Sequence, residues 1–216
     1  MNVAFTHDVR QEVGELVRWA ATRGVPCREV GEGELERLVG SQHEGLAVVA
    51  RPRRWLSTAE LAELLVSKRG AAIALDRVRN PYNVGAVLRS AAFFGVDAAL
   101  LGTPAPHPGL PPTAVRVAEG GAEHVPVART TDLADTLQRL RSRGVRVVGA
   151  DGRATRSVFG FPFERPVVLV MGHEREGLGE RVRAQCDAVV AIPGRGTVES
   201  LNVGVAAGIL VAELAR

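Results

Sequence analysis

Apolar and polar positions alternate along this chain with two periods, one typical of helices and one of strands. Apolar residues recur at helical spacing in residues 9–23, 84–94, 133–143 and 201–214. Short apolar runs predict strands at residues 46–50, 71–75, 98–101, 145–149, 167–171 and 188–192. Strands that alternate with helices are typical of an α/β fold with a mostly parallel sheet, and we expect the strands at 145–149 and 167–171 to be buried on both faces.

Breaks in this pattern predict how the chain is divided. Residues 51–54 read RPRR and interrupt the periodicity as a linker would. Ser57 and Glu60 have the spacing of a capping box, so a helix is predicted from there to near Gly70. The predicted division is into a small N-terminal domain, a linker with a connecting helix, and a main domain, at residues 1–50, 51–70 and 71–216.

The composition limits the classes of partner. Hydrophobic residues make up 46% of the chain, enough for a core, whereas aromatic residues make up only 4%. A broad aromatic platform for single-stranded bases is therefore not expected. The formal charge of +3 and the pI near 9.5 are compatible with a polyanionic partner. Arginine is used almost to the exclusion of lysine, which suits phosphate contacts but is equally explained by a general compositional bias.

Cysteine content and the lack of long apolar runs bear on the compartment. Cys27 and Cys186 have neither metal-site spacing nor the number expected of a disulfide framework, which indicates a reducing cytoplasm. No apolar run reaches membrane-spanning length and the N-terminus lacks a signal-peptide pattern, so we expect a soluble cytoplasmic protein with no membrane partner. Phosphate-loop, dinucleotide, nucleophile-elbow and metal-ligand patterns are all missing from the sequence.

Residue types that carry chemistry first gather where the strand at 71–75 meets the following helix. Residues 80–91 read NPYNVGAVLRSA. The carboxyl end of a strand is where open α/β sheets bind ligands. Asn83 has two interpretations, a helix N-cap or a functional amide. Arg89 also has two, a solvated side chain or a guanidinium directed at a phosphate or a reacting hydroxyl.

A second such segment ends another predicted strand. Residues 167–178 read VVLVMGHEREGL, and Gly172 would let a ligand approach the backbone closely. Glu174 is either a charge at a helix N-terminus or a carboxylate that orients Arg89. A single histidine is weak evidence for a base, so we expect His173 to be a loop residue.

The third segment is the most unusual in the chain. Residues 192–208 read IPGRGTVESLNVGVAAG, a glycine-broken turn that leads into a helix of small residues. On the simpler interpretation, Ser200 is the N-cap of that helix. Gly204 and Gly208 each weaken a helix by roughly 1 kcal/mol relative to alanine. Such a loss suggests that another backbone or a ligand packs closely against them.

In order, spacing and the SLNV core, these three segments resemble motifs one to three of the SpoU (TrmH-type) RNA 2′-O-methyltransferases of the SPOUT superfamily. The resemblance covers residues 71–216. It implies an α/β domain with a C-terminal trefoil knot, a rare exception to unknotted folds. It also implies S-adenosylmethionine as the cofactor and a homodimer formed through the knotted domain.

Site residues follow from the resemblance by position. The cofactor-binding residues that it implies are Val170, Met171, Gly172, Ile192, Gly196 and Leu201. The catalytic and supporting polar residues that it implies are Arg89, Glu174, Ser200, Asn202 and Asn83. Candidate RNA contacts, each also explained as a solvated surface residue, are Arg51, Arg53, Arg54 and Arg175.

The reaction implied is transfer of a methyl group from S-adenosylmethionine to a ribose 2′-OH of tRNA or rRNA, with no metal and no DNA partner. The family pattern favours Arg89 as the base. A charged Arg89 that holds a phosphate and lowers the pKa of the 2′-OH is the other possibility, because arginine resists deprotonation. The alternative function is a catalytically inactive RNA-binding protein of the same fold. An unrelated oxidoreductase is disfavoured by the missing dinucleotide fingerprint.

The N-terminal region is also similar to part of the family. Residues 42–47 read QHEGLA and resemble the HQG segment that closes the ribosomal-protein-L30e-like substrate domain of some members. This resemblance implies either a reduced domain without its usual first helix and strand, or a start downstream of a longer protein. Within this region, residues 31–33 read GEG and predict a turn.

Two positions and one segment depart from the family pattern. Gly194 replaces the methionine of IPM, and Gly204 takes the serine position of SLNVS. Residues 118–124 read AEGGAEH where many members have a serine-containing segment of small residues. Glu119 in that segment would either face RNA unfavourably or contribute to a different specificity. None of these changes falls on a residue assigned to catalysis.

Overall fold

A computed structural model describes residues 1–51, 53–102, 110–173, 176–198 and 200–216 of the chain. The chain forms two compact units, Met1–Arg54 and Trp55–Arg216. Within the described ranges, every helix is too short or too polar to cross a bilayer.

The first unit is a small three-stranded sheet with two helices. Its elements are β1 (Asn2–Phe5), α1 (Gly14–Thr22), β2 (Cys27–Glu29), α2 (Glu32–Val39) and β3 (Leu46–Val49). Strand β1 lies in the centre, parallel to β2 and antiparallel to β3. The turn predicted at 31–33 is wrong, because Gly31 is the N-cap of α2 and Gly33 lies inside it. The short strands β1 and β2 gave too few alternating positions to be predicted.

The second unit is built on a parallel sheet. Its elements are α3 (Thr58–Lys68), β4 (Ala71–Leu75), α4 (Pro81–Phe93), β5 (Ala98–Leu101), α5 (Pro112–Val117), α6 (Gly121–His124), β6 (Val127–Arg129), α7 (Leu133–Ser142), β7 (Arg146–Ala150), β8 (Val167–Met171), α8 (Glu180–Arg183), β9 (Ala188–Val190) and α9 (Val203–Ala215). In the described residues the strand order is β6-β5-β4-β8-β7-β9, and all the pairings are parallel. The α/β fold with a mostly parallel sheet is therefore confirmed.

Helices cover both faces of this sheet. Alternate residues of β4 point to opposite sides, so Ile73 and Leu75 pack with α4, α5, α6 and α9, whereas Ala72 and Ala74 pack with α3, α7 and α8. Strands β4 and β8 are buried along their whole length. This burial explains why their sequences are continuous apolar runs rather than alternating ones.

The N-caps of α3 and α4 confirm one sequence prediction and contradict another. Ser57 and Glu60 form the predicted capping box at the start of α3. Helix α4 begins at Pro81, and the side chain of Asn80 accepts a hydrogen bond of 2.9 Å from the backbone N–H of Tyr82. The interpretation of Asn83 as the N-cap is therefore wrong. Asn83 lies inside the helix, where only 5% of it is exposed.

Candidate active site at the carboxyl ends of the strands

A cavity opens at the carboxyl edge of the parallel sheet. Its volume is about 1120 Å³. Its walls are the loops that follow β7, β8 and β9, together with the first turns of α9. The lining residues are Ala150, Asp151, Gly152, Arg153, Met171, Gly172, His173, Gly177, Val190, Ala191, Ile192, Pro193, Gly194, Gly196, Val198, Ser200, Leu201, Val203, Ala206 and Leu210. Crevices at this edge are where open α/β sheets bind ligands.

Most of the residues assigned to the cofactor lie in this wall. Met171, Gly172, Ile192, Gly196 and Leu201 all line the cavity. Val170 does not, because it points to the opposite face of the sheet and packs in the core with α3 and α7. The sequence interpretation missed Asp151 and Arg153, although they directly follow β7 and the strand-end rule that selected Gly172 would have found them.

Gly172 occupies a place that no side chain can share. A Cβ there would lie 2.3 Å from the carbonyl carbon of Gly177 and 2.5 Å from the backbone nitrogen of Leu178. The backbones of His173 and Gly177 exchange hydrogen bonds of 3.0 and 2.9 Å, which folds the chain tightly back on itself. Glu174 and Arg175, between them, lie outside the described residues. The glycine is therefore required by backbone packing at the cavity wall.

An amide pair joins the first and third sequence motifs. The Nδ2 of Asn202 donates a hydrogen bond of 3.1 Å to the Oδ1 of buried Asn83, 119 residues away in sequence. The Oδ1 of Asn202 accepts a bond of 2.8 Å from the backbone N–H of Gly204 and so caps α9. The interpretation of Ser200 as the N-cap is therefore wrong. Ser200 lies in the cavity wall instead.

Arg89 lies on the third turn of α4, at the point where α6 comes closest. A Cβ on Gly121 would lie 3.0 Å from the Cα of Arg89, so the two backbones nearly touch. This contact brings Glu119, in a left-handed conformation with φ 48°, beside the guanidinium. The Nη1 of Arg89 and the Oε1 of Glu119 are 3.8 Å apart, and both side chains are more than 60% exposed. The carboxylate thus neutralises part of the charge that the arginine offers to a polyanion.

Asp151 is a carboxylate of the cavity wall that is held by two arginines. Its two oxygens accept bonds of 3.1 and 3.0 Å from the Nε and Nη2 of Arg153 and one of 2.7 Å from the Nη1 of Arg183. Hydrogen bonds from the Arg153 side chain hold the pKa of Asp151 below its ordinary value, although burial acts in the opposite direction. The same pairing raises the pKa of Arg153. Asp151 therefore stays ionised despite being 5% exposed.

The remaining predicted residues lie elsewhere. Arg51, Arg53 and Arg54 end the first unit, and Arg51 and Arg54 are exposed. Arg175, like Glu174, falls outside the described residues. Among the residues that the structure describes, no group of three His, Cys, Asp or Glu side chains has the geometry of a metal site.

Known proteins resemble the chain in sequence and in structure. The sequence pattern of the SpoU rRNA Methylase family matches residues 70–212. A protein of Mycobacterium avium (strain 104), named as an uncharacterized tRNA/rRNA methyltransferase, is 36% identical over 99% of this chain and 70% of its own length. The SpoU methyltransferase AviRb from Streptomyces viridochromogenes, in complex with the cofactor AdoMet, has a TM-score of 0.78 at 25% identity and covers 100% of this chain and 82% of that one. A solved structure concerned with the 2-OH methylation of C/U34 on tRNA has a TM-score of 0.60 at 30% identity, over 68% of this chain and 95% of that one.

Proposed function

Because this chain belongs to the SpoU rRNA Methylase family, we propose that it transfers a methyl group from S-adenosylmethionine to the ribose 2′-OH of a nucleotide in tRNA or rRNA. The observation that carries the proposal is the hydrogen bond between Asn202 and Asn83. It ties the helix that bears Arg89 to the segment that forms the cavity wall. The relative concerned with 2-OH methylation on tRNA supports the choice of the ribose hydroxyl over a base atom.

The cavity fits the cofactor in size and in chemistry. The apolar side chains of Met171, Ile192 and Leu201 lie beside glycines that leave backbone groups accessible, and Asp151, Arg153, His173 and Ser200 add polar groups to the wall. Such a wall suits an adenine ring held by main-chain groups and apolar contacts. S-adenosylmethionine, when bound, supplies a methyl group on a sulfonium that is already a good leaving group.

The residues of the chain then have to hold the RNA and align its hydroxyl. Arginine keeps its proton in proteins, so we assign Arg89 to holding a backbone phosphate and stabilising the developing alkoxide. The hydroxyl proton leaves to solvent water as the O–CH3 bond forms and the sulfonium S–CH3 bond breaks. Asn83 and Asn202 fix the helix that presents Arg89, and Ser200 in the cavity wall is a further polar residue of the site. Glu174 keeps the supporting role that the family resemblance implies. Alignment of the hydroxyl supplies much of the rate enhancement in this scheme.

We extend the proposal to the assembly. Tyr82, Arg89 and Phe93 follow one another at steps of seven and four residues, which places them on one face of α4. Tyr82 is 63% and Phe93 82% exposed, and Val205 on the neighbouring α9 is 54% exposed. An exposed apolar face beside the active site supports a homodimer formed through α4 and α9. The trefoil knot belongs to the same proposal and is supported by the family membership and by the tight backbone approach at Gly172.

Calorimetric titration of the purified protein with S-adenosylmethionine, and separately with its demethylated product, tests the cofactor. Saturable binding near one site per chain supports the methyltransferase. If folded protein binds neither molecule, with or without bulk RNA, the inactive RNA-binding protein becomes the better assignment. Light scattering of the same preparation measures whether the chain is a dimer.

The position of the methyl group needs a separate experiment. Bulk tRNA and rRNA are incubated with the protein and with methyl-labelled cofactor, and the labelled RNA is hydrolysed in alkali. A 2′-O-methyl group blocks cleavage at its own nucleotide, so the label should appear in alkali-resistant dinucleotides. Label released only as mononucleotides would place the methyl group on a base and contradict the ribose assignment.

A further inference from the structure

The turn that forms one wall of the cavity is held from two sides. We call its described residues, Gly172, His173, Glu176 and Gly177, the β8 turn. It follows the central strand β8, whose neighbours in the sheet are β4 and β7. Each of these neighbours is followed directly by an aspartate, and an arginine one or two residues after each aspartate reaches the β8 turn.

On the β4 side, Arg77 makes two contacts with the turn. Its Nη2 donates a hydrogen bond of 3.0 Å to the carbonyl oxygen of Gly177. Its Nη1 forms an ion pair with the carboxylate of Glu176. Asp76, which precedes it, accepts a bond of 2.8 Å from the backbone N–H of Gly179. The end of β4 therefore binds the turn through Arg77 and the segment directly after the turn through Asp76.

On the β7 side, Arg153 takes the corresponding place. Its Nη2 donates a hydrogen bond of 3.0 Å to the carbonyl oxygen of Glu176. The guanidinium is itself held by Asp151, which is bound in turn by Arg183 of α8. A Cβ on Gly177 would lie 2.7 Å from the Nη2 of Arg153 and 2.9 Å from the Oδ2 of Asp151. The turn is thus packed tightly against this pair.

Two features indicate that the fold holds these contacts in a fixed geometry. Asp76 and Asp151 are 4% and 5% exposed, and buried carboxylates are retained only where several hydrogen bonds compensate for lost water. Arg77 adopts a left-handed conformation with φ 61°, which is unfavourable for a residue with a Cβ. The chain accepts this strain at the residue whose side chain reaches Gly177 and Glu176.

We propose that Arg77 and Arg153 are positioning residues, which hold the β8 turn in the shape that binds the cofactor. The proposal rests on the proposed function, because the turn supplies Gly172, His173 and Gly177 to the cofactor cavity. The two arginines bind opposite sides of one short turn, so loss of either frees part of the wall. Arg77 acts through the turn, whereas Arg153 holds the turn and also lines the cavity itself. Neither is assigned to contact with the RNA.

The test compares cofactor affinity in the variants Arg77→Ala, Arg153→Ala and the double variant. Each single change should weaken calorimetric binding of S-adenosylmethionine about tenfold, the scale expected when a charged hydrogen bond that orders a binding loop is removed. Cofactor affinity in the double variant should fall by less than the product of the two single-variant factors, since both arginines hold the same turn. Arg77→Lys and Arg153→Lys keep the positive charge but lose the planar guanidinium with its several N–H donors. Their cofactor affinities should lie between those of the alanine variants and the wild type.

Arg141 provides a matched control. Its Nε and Nη2 donate bonds of 3.1 and 2.7 Å to Asp187, which also accepts a bond from the backbone N–H of Val147. This arginine–aspartate pair has the same chemistry but lies at the amino end of β7, away from the cavity. Arg141→Ala should change thermal stability as much as the test variants do, with cofactor affinity within about twofold of wild type.

Hydrogen exchange provides a readout that does not depend on the cofactor. In the test variants, the amide of Gly177 should exchange at least about tenfold faster, with the strands of the sheet unchanged. Unchanged exchange there, or unchanged cofactor affinity in both alanine variants, overturns the proposal. If wild-type protein binds no cofactor, the proposed function fails instead. The exchange of Gly177 then still decides whether the two arginines hold the turn.

Discussion

A Cβ on Gly204 would lie 2.9 Å from the Cβ of Ala86, closer than real Cβ atoms approach. The contact is where α9 crosses α4, and it lies next to the Asn202 cap. The close approach of Ala86 therefore accounts for a glycine at this position. A Cβ on Gly208, one turn further along, would lie 3.9 Å from the Oγ of Ser90, which is an ordinary contact distance.

Substitutions of the two glycines of α9 should therefore change the free energy of unfolding in opposite directions. Gly204→Ser should destabilise the fold by about 1–3 kcal/mol, because the added atoms overpack the helix crossing. Gly208→Ala should stabilise it by about 0.5–1 kcal/mol, because alanine is the better helix former and has room. Denaturant titrations measure both. Adding Ala86→Gly should restore part of the loss in Gly204→Ser, and no restoration would mean that the crossing is not the cause.

The amide pair can be separated from the helix cap that shares Asn202. Asn202→Ser keeps an oxygen that can cap α9 but is too short to reach Asn83, so it should be about 1 kcal/mol more stable than Asn202→Ala. A double-mutant cycle of Asn202→Ser with Asn83→Ala should give a coupling energy of about 0.5–1.5 kcal/mol. A coupling energy near zero would show that the bond between the two motifs contributes nothing to the fold.

Arg89 should be required for methyl transfer but not for binding of the cofactor. Arg89→Ala should abolish detectable transfer to RNA while the affinity for S-adenosylmethionine stays within about twofold, because Arg89 lies outside the cavity lining. Single-turnover transfer and calorimetry measure the two properties. Loss of both together would mean that Arg89 supports the structure of the site.

Glu119 should weaken RNA binding in the wild-type protein, because its carboxylate competes with phosphate for Arg89. Glu119→Gln should bind RNA a few-fold more tightly, because Arg89 then no longer gives up an exposed ion pair when it binds the phosphate. Glu164→Gln is the control, since Glu164 forms an exposed pair with Arg146 at 3.4 Å. Weaker RNA binding in Glu119→Gln would instead make Glu119 a residue that orients Arg89.

The bonds of Asp151 to Arg153 and Arg183 should make the stability of the fold depend on pH in the acid range. The pKa of Asp151 is lowered in the folded protein, so its contribution to stability is present above the pKa of an unfolded aspartate, about 3.9, and is lost as the pH falls through the lower folded value. Asp151→Asn should lower the melting midpoint by about 2–4 °C at pH 7. That difference should stay constant from pH 8 to about 5 and close below about pH 4. A difference that persists unchanged at about pH 2 would contradict the assignment.

Much of the fold could be predicted because the larger elements carry strong local signals. The strands at 71–75 and 167–171 are buried on both faces and are therefore continuous apolar runs, and Ser57 with Glu60 is a local capping pattern. The elements that were missed, such as α6 and β6, are only four and three residues long and span too few positions to show a period.

The sequence by itself determined the α/β class and the family, since these depend on periodicity and on motifs that are contiguous in the chain. Tertiary structure alone decided which asparagine caps which helix, and that Asn202 bonds Asn83 rather than leaving the cap to Ser200. It also decided that Glu119 faces Arg89, and that Arg77 and Arg153 meet on one turn. Such contacts join residues that are far apart in the chain. Their geometry depends on the order and register of the strands, which no local pattern encodes.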